Sequence, residues 1–572
     1  MLVYGDALRR QDPRRMLESI RETLRGAGAM PAGIARHSAL VAALIEAGEL
    51  AQGLADAGFD ERGEDAVLPP GKAAMELLGQ IAAAVLESWR TGFAASGPLP
   101  AAALAAGPLP GAISCKRAEG FAYYALYPEA YAMAAAALPA GMLRVIGLRS
   151  IGTTLGAVVA AARGAPPAVT LRPVGHPFQR EVRLSEGLAA GLLAGPARYA
   201  VVDEGPGLSG SSFGAVLDFL GARGVAEGRI HLLPGHGGEP GPQAGEAQRA
   251  RWRRVSRHPA PVDEMLLGTG ARLQGWAAGL LGPAEAPLED ISGGGWRRLR
   301  FPDATLLPPV HPYMERRKFL HRAGGTTWLL KFTGLGRHGE ETVGRARRLH
   351  GAGFVPEPAG LLHGFLAERW EEAARPLDPL DCDRPALIAH LGRYLGFRAR
   401  NLPAAEAEGA SLDSLWAMAR QNAGEALGEA VAARLDAWKP RLPALQARVR
   451  RVWTDNRLHA WEWLVLPGGR LLKADAVDHA AAHDLIGCQD IAWDVAGAAA
   501  EFGLSAAERD RLLARLGADA ALTAFLEPCY LAFQAGYYAM AAEAWGEGEE
   551  ASRARAAGDR YAAGLRQVLL AA

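Results

Sequence analysis

Two acidic residues followed by a turn rich in glycine and serine form the clearest chemical motif of the chain. Residues 198–213 have the sequence RYAVVDEGPGLSGSSF, in which an apolar strand ends in Asp203 and Glu204, and an apolar helix follows the turn. Glycines let the backbone approach a ligand closely, and the first amides of a helix point at an anion. The turn supplies six candidate binding residues: Gly205, Gly207, Ser209, Gly210, Ser211 and Ser212. The motif predicts a phosphate site whose two carboxylates accept bonds from sugar hydroxyls.

This segment resembles the phosphoribosyl pyrophosphate (PRPP) loop of the type I phosphoribosyltransferases. Residues 209–212 stand where that family has Thr-Gly-x-Thr, although the turn before them is one residue longer than usual. Residues 145–155, VIGLRSIGTTL, resemble the family's pyrophosphate loop. The resemblance makes Arg149 a fixed cation for the diphosphate and implies three further binding residues: Ser150, Gly152 and Thr153. Residues 170–180 occupy the position of the family's mobile flap, with Arg172, His176 and Arg180 as candidates for closing over the diphosphate.

The reaction implied by the resemblance is displacement of pyrophosphate from C1 of PRPP, assisted by Mg²⁺. Positioning and charge stabilisation would supply most of the rate, with Asp203 and Glu204 at the reacting sugar. The nucleophile is not encoded in a motif, so a base, an amine or another acceptor stays open. Two alternatives also remain: release of ribose from a finished nucleotide, and an ordinary strand-to-helix turn without a ligand.

A lysine on a strand is the main chemical feature of the C-terminal region. Residues 314–332 indicate a β-hairpin that turns at 323–325 and whose second strand carries Lys331. A helix is predicted at 339–350, with Glu340 and Glu341 near its start. The arrangement resembles the small lobe of the aminoglycoside phosphotransferase-like kinases. It implies that Lys331 binds the phosphates of ATP and pairs with a helix glutamate, Glu341, while residues 366–370 form the hinge that binds adenine.

Residues 453–475 resemble the catalytic loop and metal-binding strand of those kinases. Aligned with the pattern His-x-Asp-x-x-x-x-Asn, Arg457 falls at the catalytic aspartate and Glu462 at the metal-binding asparagine. Asp475 keeps the place of the second metal carboxylate, so Glu462 and Asp475 are the predicted ligands of Mg²⁺, which prefers oxygen donors. Asp455 and Asp478 are the alternatives for the missing base. Residues 489–494, QDIAWD, resemble the closing structural aspartate motif of the family.

These motifs require a multidomain α/β and α+β protein. The length of 572 residues suggests about three domains. We expect a helical N-terminal region at 1–110, with helices at 16–24, 39–54 and 73–89 and a linker at 96–110. Alternating strands and helices at 111–285 predict a parallel sheet of the phosphoribosyltransferase type. After a break at 282–295, rich in Pro and Gly, a two-lobed kinase-like domain is expected at 295–572.

Composition limits the classes of molecule that the protein is expected to bind. Hydrophobic residues make up 49% and charged residues 22%, and the formal net charge is zero, so no overall basic field favours nucleic acid. No uninterrupted apolar run long enough for a membrane helix is evident, and no signal peptide is seen, so a cytoplasmic location without membrane attachment is expected. Four cysteines without a CxxC pair fit a reducing compartment and give no zinc motif. The expected partner is a small-molecule substrate.

Two functional hypotheses follow. The first is a bifunctional enzyme that joins a PRPP-binding phosphoribosyltransferase to an atypical, ATP-dependent small-molecule kinase. The second is a nucleotide-sensing regulatory protein whose kinase-like domain is inactive, because Arg457 replaces the catalytic aspartate. The N-terminal helices are predicted either to cover the sheet edge or to form a homodimer contact.

Overall fold

The N-terminal region is helical, as its apolar periodicity predicts. The structure of the protein, a computed structural model, describes residues 1–5, 8–102 and 108–571, so the predicted linker 96–110 includes residues outside the described ranges. The elements here are strand β1 (Leu8–Gln11) and helices α1 (Pro13–Ala29), α2 (Ile34–Arg62) and α3 (Pro69–Arg90). Helix α2 is long and apolar enough to cross a membrane, but 61% of its apolar window is buried inside the protein.

The middle region contains the parallel sheet that the alternation of strands and helices predicts. Its elements are β2 (Ile113–Lys116), α4 (Glu119–Ala122), α5 (Pro128–Ala136), β3 (Leu143–Leu148), α6 (Gly152–Arg163), β4 (Val169–Leu171), β5 (Val174–His176), β6 (Gln179–Glu181), α7 (Glu186–Leu193), β7 (Arg198–Val202), α8 (Ser211–Ala222), β8 (Ile230–Leu233), α9 (Glu246–Arg254), β9 (Ser256–Arg257), α10 (Val262–Leu267) and α11 (Arg272–Leu281). The strand order is β4-β3-β7-β8-β9, and all neighbours run parallel. The carboxyl ends of β3 and β7 therefore lie side by side, where ligands of open α/β sheets bind.

Helix α6 packs on β3 of this sheet, and the N-terminal helices α2 and α3 pack on α6. Strand β1 also pairs antiparallel with β2, which ties the first residues of the chain to the start of the middle region. A separate hairpin, β5–β6, rises from the sheet between β4 and α7 and packs on α8. It occupies the position predicted for the flap. The N-terminal helices thus form an outer layer over α6, and the hairpin lies next to the predicted phosphate loop.

The C-terminal region has two lobes. The small lobe contains β10 (Glu289–Asp290), α12 (Arg297–Arg300), β11 (Lys318–Ala323), β12 (Thr326–Phe332), α13 (Gly336–Gly351), β13 (Pro358–Leu362) and β14 (Phe365–Arg369). The large lobe contains β15 (Arg375–Pro376), α14 (Arg384–Asn401), α15 (Leu412–Leu427), α16 (Glu429–Ala432), α17 (Leu442–Gln446), β16 (Arg451–Val452), β17 (Trp463–Val465), β18 (Leu471–Lys473), β19 (Gln489–Asp490), α18 (Ala492–Phe502), α19 (Ala506–Leu516), α20 (Ala520–Trp545) and α21 (Glu549–Ala571). Short 3₁₀ turns occur at Glu227–Arg229, Ala304–Leu306, Glu406–Glu408, Ala433–Arg441, Ala460–Glu462 and His479–Ala481.

The sheet of the small lobe is antiparallel, with the order β10-β11-β12-β14-β13. The predicted hairpin is its centre, and it turns at Gly324 and Gly325, whose φ angles of 58° and 69° suit glycine. The register places Lys318 directly opposite Lys331. Helix α13 lies where the sequence predicts a helix.

Two boundaries differ from the predictions. Strand β10 lies inside the predicted break at 282–295, because its residues pair with Phe319 and Leu320 and so already belong to the C-terminal sheet. The loosely helical spacing of the tyrosines in 520–570 predicts one continuous helix there, but the segment forms two helices, since Gly546 ends α20 with a φ of 71°. The three regions also share one apolar core, in which side chains of α2, α6 and β12 pack in a single buried cluster.

Candidate functional site

The acids at the end of β7 lie half-buried at the carboxyl edge of the parallel sheet. Burial raises the pKa of Asp203 to about 7, although Arg180, Arg172 and Lys116 oppose the rise. Burial, with the charges of Glu119 and Asp203, raises the pKa of Glu204 to about 8. Both groups therefore change protonation near neutral pH, and they can either donate or accept hydrogen bonds there.

The turn after these acids is closed by the flap hairpin. The hydroxyls of Ser209 and Ser211 both donate to the carbonyl oxygen of Pro177, at 3.3 and 2.7 Å, and Arg180 donates to the hydroxyl of Ser212 at 3.4 Å. The flap thus holds the hydroxyls that were predicted to bind phosphate. The opening of α8 keeps the predicted form, because Gly210 caps it at a φ of 68°. The first-turn amides of α8 have no acceptor within the helix.

The glycines of this turn have different surroundings. Gly207 has a φ of 57° and open space on its Cβ side, so the backbone conformation alone explains the glycine. Gly205 faces the ring of His236, whose Nε2 would be 3.1 Å from an added Cβ. The turn is therefore bounded on one side by His236 and on the other by the flap.

Arg149 does not have the role expected of it. Its guanidinium is buried and ion-paired with Asp65 and, at 3.1 Å, with Asp56, both from the N-terminal region. Arg172 pairs with the same Asp56 and donates to the carbonyl of Arg149 at 3.0 Å. A guanidinium satisfied by two carboxylates is not a free cation for a diphosphate. Of the predicted flap cations, Arg180 reaches the loop instead.

Two hydroxyls of the predicted pyrophosphate loop are unpaired. Those of Ser150 and Thr153 are buried and have no hydrogen-bond partner among the described residues. Gly152 begins α6 directly against β7, since an added Cβ would lie 2.5 Å from the carbonyl oxygen of Val202. This close approach brings the start of α6 next to the acids that follow Val202.

The second candidate site is the cleft between the two C-terminal lobes. It encloses about 940 Å³, part of it open to solvent. Leu329 from the sheet and Leu464 from the large lobe line it with Trp296, and the segment Glu368–Trp370, which is part of the predicted hinge, forms one wall. An apolar slot with backbone groups along one wall suits a planar base.

Lysine and aspartate meet at the inner end of this cleft. Lys331 bonds both Asp475 and, at 2.8 Å, Asp478, and Lys318 lies 3.7 Å from Asp475. Burial opposes ionisation of Asp475, but Lys331 and Lys318 outweigh it and hold the pKa of that carboxyl well below its ordinary value. Asp475 also has a φ of 52°. A non-glycine residue in this strained region is often found at functional sites.

Glu341 does not pair with Lys331 as predicted. It is exposed on α13, whereas the buried face of that helix carries Thr342 and Arg345. Arg345 donates to the carbonyl of Val477 at 3.0 Å and stacks on the ring of Trp453. Lys331 pairs instead with Asp475 and Asp478 of the large lobe.

The predicted base Asp455 is sealed in the interior. It pairs with Arg398 at 3.2 Å and with Lys473 at 3.4 Å, and it accepts a bond from Tyr394. Burial raises its pKa, but Lys473 and Arg398 together leave it below the ordinary value. A carboxylate held by two cations without access to the cleft does not serve as a base. Asp455 is therefore a structural residue.

The predicted metal ligands are not joined by contacts. Glu462 lines the cleft, but its carboxylate accepts a bond from Lys473 at 2.7 Å. Asp475 groups instead with Asp478 and His479, whose donor atoms lie within 4.8 Å of one another. Asp475 and Asp478 offer the carboxylate oxygens that Mg²⁺ prefers. The donor set thus fits Mg²⁺ at this pair rather than at Glu462.

Arg457, which the sequence alignment puts at the position of the catalytic aspartate, is fixed by its neighbours. Its guanidinium lies 3.6 Å from Asp484 and 4.0 Å from the ring centre of Tyr537. The loop itself is held by Asp494, which accepts the amides of Asp455 at 2.8 Å and Asn456 at 3.0 Å. Asp494, from the predicted closing aspartate motif, therefore orients the loop that carries Arg457.

The roles of three charged residues at or beside the cleft were not predicted from the sequence. Lys318 could have been found from the hairpin, because a turn at Gly324 and Gly325 places it opposite Lys331. Lys473 gave no signal as a buried cation. Glu368 lines the cleft, and burial raises its pKa to about 7, with Lys331 opposing the rise.

The two candidate sites share a wall. A second pocket of about 620 Å³ adjoins the cleft at Lys331 and Asp475 and is lined by Tyr123, Tyr124 and His479. Tyr123 and Tyr124 follow α4, and the amide of Gly120 in α4 donates to Glu204 of the parallel sheet. One short segment thus contacts both sites.

Comparison with known proteins gives distant structural similarities. No protein family and no curated protein matches the chain. The choline kinase LicA from Streptococcus pneumoniae is 16% identical, with 43% of this chain and 89% of that chain covered, at a TM-score of 0.31. A choline/ethanolamine kinase family protein from Mesorhizobium loti is 16% identical over 44% of this chain and 90% of that chain, at 0.30. Spectinomycin phosphotransferase APH(9)-Ia, in complex with ADP and spectinomycin, is 13% identical over 52% and 97%, at 0.34. At these TM-scores the similarity does not establish function.

Proposed function

We propose that the C-terminal region binds a nucleoside triphosphate between its lobes and transfers a phosphoryl group to a small molecule. The observation that carries the proposal is the pairing of Lys331 with Asp475 at the inner end of the cleft. In phosphotransferases such a lysine binds phosphate and such an aspartate holds Mg²⁺. Here Asp475 and Asp478 would hold the ion, which supplies charge neutralisation to the phosphates when bound.

The chain's own residues supply the rest of this chemistry. Lys331 and Lys318 exchange Asp475 for the phosphates, and their charge stabilises the transferred group. His479 lies 3.7 Å from Asp475 and lines the adjoining pocket, so it takes the proton of the acceptor hydroxyl. Positioning supplies most of the rate in phosphoryl transfer, which makes a histidine a sufficient base.

A second candidate function is nucleotide sensing without turnover. Two observations favour it: Arg457 occupies the place of the base, and Lys473 neutralises Glu462. Both place a cation where an active kinase needs an acid or a metal ligand. In this case the cleft binds nucleotide and the bound state changes the contact with the middle region.

For the middle region we propose a PRPP-binding phosphoribosyltransferase. The parallel sheet, the acids at the end of β7, and the unpartnered hydroxyls of Ser150 and Thr153 support it. The flap over the turn supports a closing lid, with Arg180 as its cation. Because the segment after α4 contacts both sites, a product of one site is the preferred substrate of the other.

Nucleotide titration tests the first proposal. A fluorescent ATP analogue with Mg²⁺ is titrated into wild type, Lys331→Met and Asp475→Asn, with Lys439→Met as the control, because Lys439 stacks on Trp416 away from the cleft. We expect about a 10-fold or greater loss of affinity, ~1.4 kcal/mol, for both cleft variants and none for the control. Equal affinity in all four proteins would refute the site. Transfer of label from γ-labelled ATP then separates a kinase from a sensor.

A thermal-shift experiment tests the proposal that the middle region binds PRPP. PRPP with Mg²⁺ is expected to raise the melting temperature of wild type, and the double variant Asp203→Asn, Glu204→Gln is expected to abolish the rise. Asp218→Asn serves as the control, because Asp218 is an exposed acid on α8. A rise that persists in the double variant contradicts the assignment.

A further inference from the structure

A fully buried cluster of two histidines and one glutamate lies where the three regions meet. His37 belongs to α2, Glu129 to α5, and His363 to the turn between β13 and β14. Their residue exposures are 0%, 0% and 2%. The Nε2 atoms of His37 and His363 lie 2.7 and 3.2 Å from the same carboxylate oxygen, Oε1 of Glu129. Three potential ligand atoms therefore converge on one point.

The outer nitrogens of the two histidines are arranged alike. Nδ1 of His37 lies 3.0 Å from the hydroxyl of Ser88, and Nδ1 of His363 lies 2.9 Å from the hydroxyl of Ser38. Histidines that ligate a metal usually bond their second nitrogen to an oxygen, which fixes the tautomer and the ring orientation. Both rings of this cluster have that arrangement, with Nε2 directed inward.

Glu129 has an unused oxygen in this interior. Its Oε2 is buried and has no hydrogen-bond partner among the described residues. Such an orphaned acceptor is costly. A bound cation would satisfy it, because a carboxylate can ligate through both oxygens, and two imidazoles with such a carboxylate give four donor atoms.

The surroundings of the cluster also favour a bound cation. They are aromatic, with Phe93 4.8 Å from the His37 ring and Trp276 5.2 Å from the His363 ring. A carboxylate buried among apolar groups is stabilised by a positive partner.

The backbone at His363 is strained as well. The turn from β13 to β14 consists of His363 and Gly364, with φ angles of 41° and 95°. Glycine or asparagine is usual at both positions of such a turn, and histidine there is uncommon. The strained position directs this ring toward Glu129 and so fits a ligand role.

We propose that His37, Glu129 and His363 bind one Zn²⁺ ion that joins the N-terminal helices, the middle region and the small-lobe sheet. Zinc accepts imidazole nitrogen and carboxylate oxygen together and favours four donor atoms. The site is closed to solvent among the described residues, so the ion has a structural role. It is independent of the cleft and of the parallel-sheet site.

The metal content of the purified protein tests this. Protein without an affinity tag, prepared without chelators, is dialysed and measured by elemental mass spectrometry for wild type, His363→Gln and His321→Gln. His321 is the matched control because it is also fully buried in the small-lobe sheet, where Nε2 bonds the carbonyl of Gly282. We expect about one Zn²⁺ per chain in wild type and the control, and at least about a tenfold loss in His363→Gln.

A second measurement covers the case in which His363→Gln does not fold. Wild type is stripped with a chelator, and Zn²⁺ or Co²⁺ is returned at one equivalent. We expect the melting temperature to recover and Co²⁺ to show visible absorption bands of a four-coordinate site. Wild type without metal that also gains no stability from added Zn²⁺ would show a hydrogen-bonded His–Glu–His cluster and overturn the proposal. Zinc retained in folded His363→Gln would place the ion elsewhere and overturn it equally.

Discussion

The carboxylate of Asp494 accepts the backbone amide of Asp455 at 2.8 Å, and its second oxygen accepts the next amide. Asp494 is fully buried at the start of α18. One side chain thus fixes the loop that carries Arg457 beneath the cleft.

Replacing Asp494 should destabilise the protein. We expect Asp494→Ala to lower the free energy of unfolding by about 1–3 kcal/mol for each amide left without an acceptor. Urea denaturation monitored by tryptophan fluorescence measures the change. Asp510→Ala, at an exposed acid on α19, should stay within about 0.5 kcal/mol of wild type. Equal stability of both variants would show that the amides find other partners.

Lys473 should be essential for stability as long as its acidic partners, Asp455 and Glu462, are present. Lys473→Met leaves the buried Asp455 and Glu462 short of a cation, and breaking a buried pair costs about 3–5 kcal/mol. Adding Glu462→Gln removes one of the unpaired charges, so the double variant should recover part of that loss. Denaturation of the four proteins of this cycle measures the coupling. Strictly additive losses would contradict an ion pair between Lys473 and Glu462.

The raised pKa values of Asp203 and Glu204 predict a pH dependence. In the unfolded chain both carboxyls lose their protons near pH 4, whereas in the folded protein they keep them to about 7 and about 8. The folded state binds more protons between these limits, so this contribution to stability falls as pH rises from about 4 to about 8. The double variant Asp203→Asn, Glu204→Gln should lose this slope. Melting temperatures from pH 5 to pH 9, with Asp218→Asn as the control, check it.

Gly152 should tolerate no side chain. Gly152→Ala places a Cβ 2.5 Å from the backbone oxygen of Val202, which cannot move without shifting β7. We expect a loss of about 1–3 kcal/mol. The matched control is Gly191→Ala in α7, where nothing lies within 4 Å of the added Cβ. That variant should be neutral or gain up to about 1 kcal/mol. Equal effects at both sites would mean that α6 can move away from β7.

Much of the secondary structure could be predicted from local patterns in the sequence. The apolar run 143–148 is β3, the run 230–233 is β8, and the paired glycines of the small lobe give the hairpin with Lys331. Strand and turn signals of this kind depend on neighbouring residues, so they can be read from the sequence.

The choice of charge partner could not be predicted in the same way. Arg149 pairs with Asp65, which lies 84 residues away in the chain, in the loop between α2 and α3. Lys331 selects the aspartates of the large lobe over Glu341 because α13 turns that glutamate outward. Such choices follow from how layers pack, and sequence spacing within one element gives no information about them.

The shared apolar core of the three regions bears on how the protein can be divided. Side chains of α2, α6 and β12 lie in one cluster, so a cut at 295 would expose large hydrophobic faces on both fragments. Calorimetry should show one cooperative heat-absorption peak for the whole chain, and fragments expressed separately should aggregate. Swapping one region for a relative's would then require redesign of the surfaces on both sides of the junction.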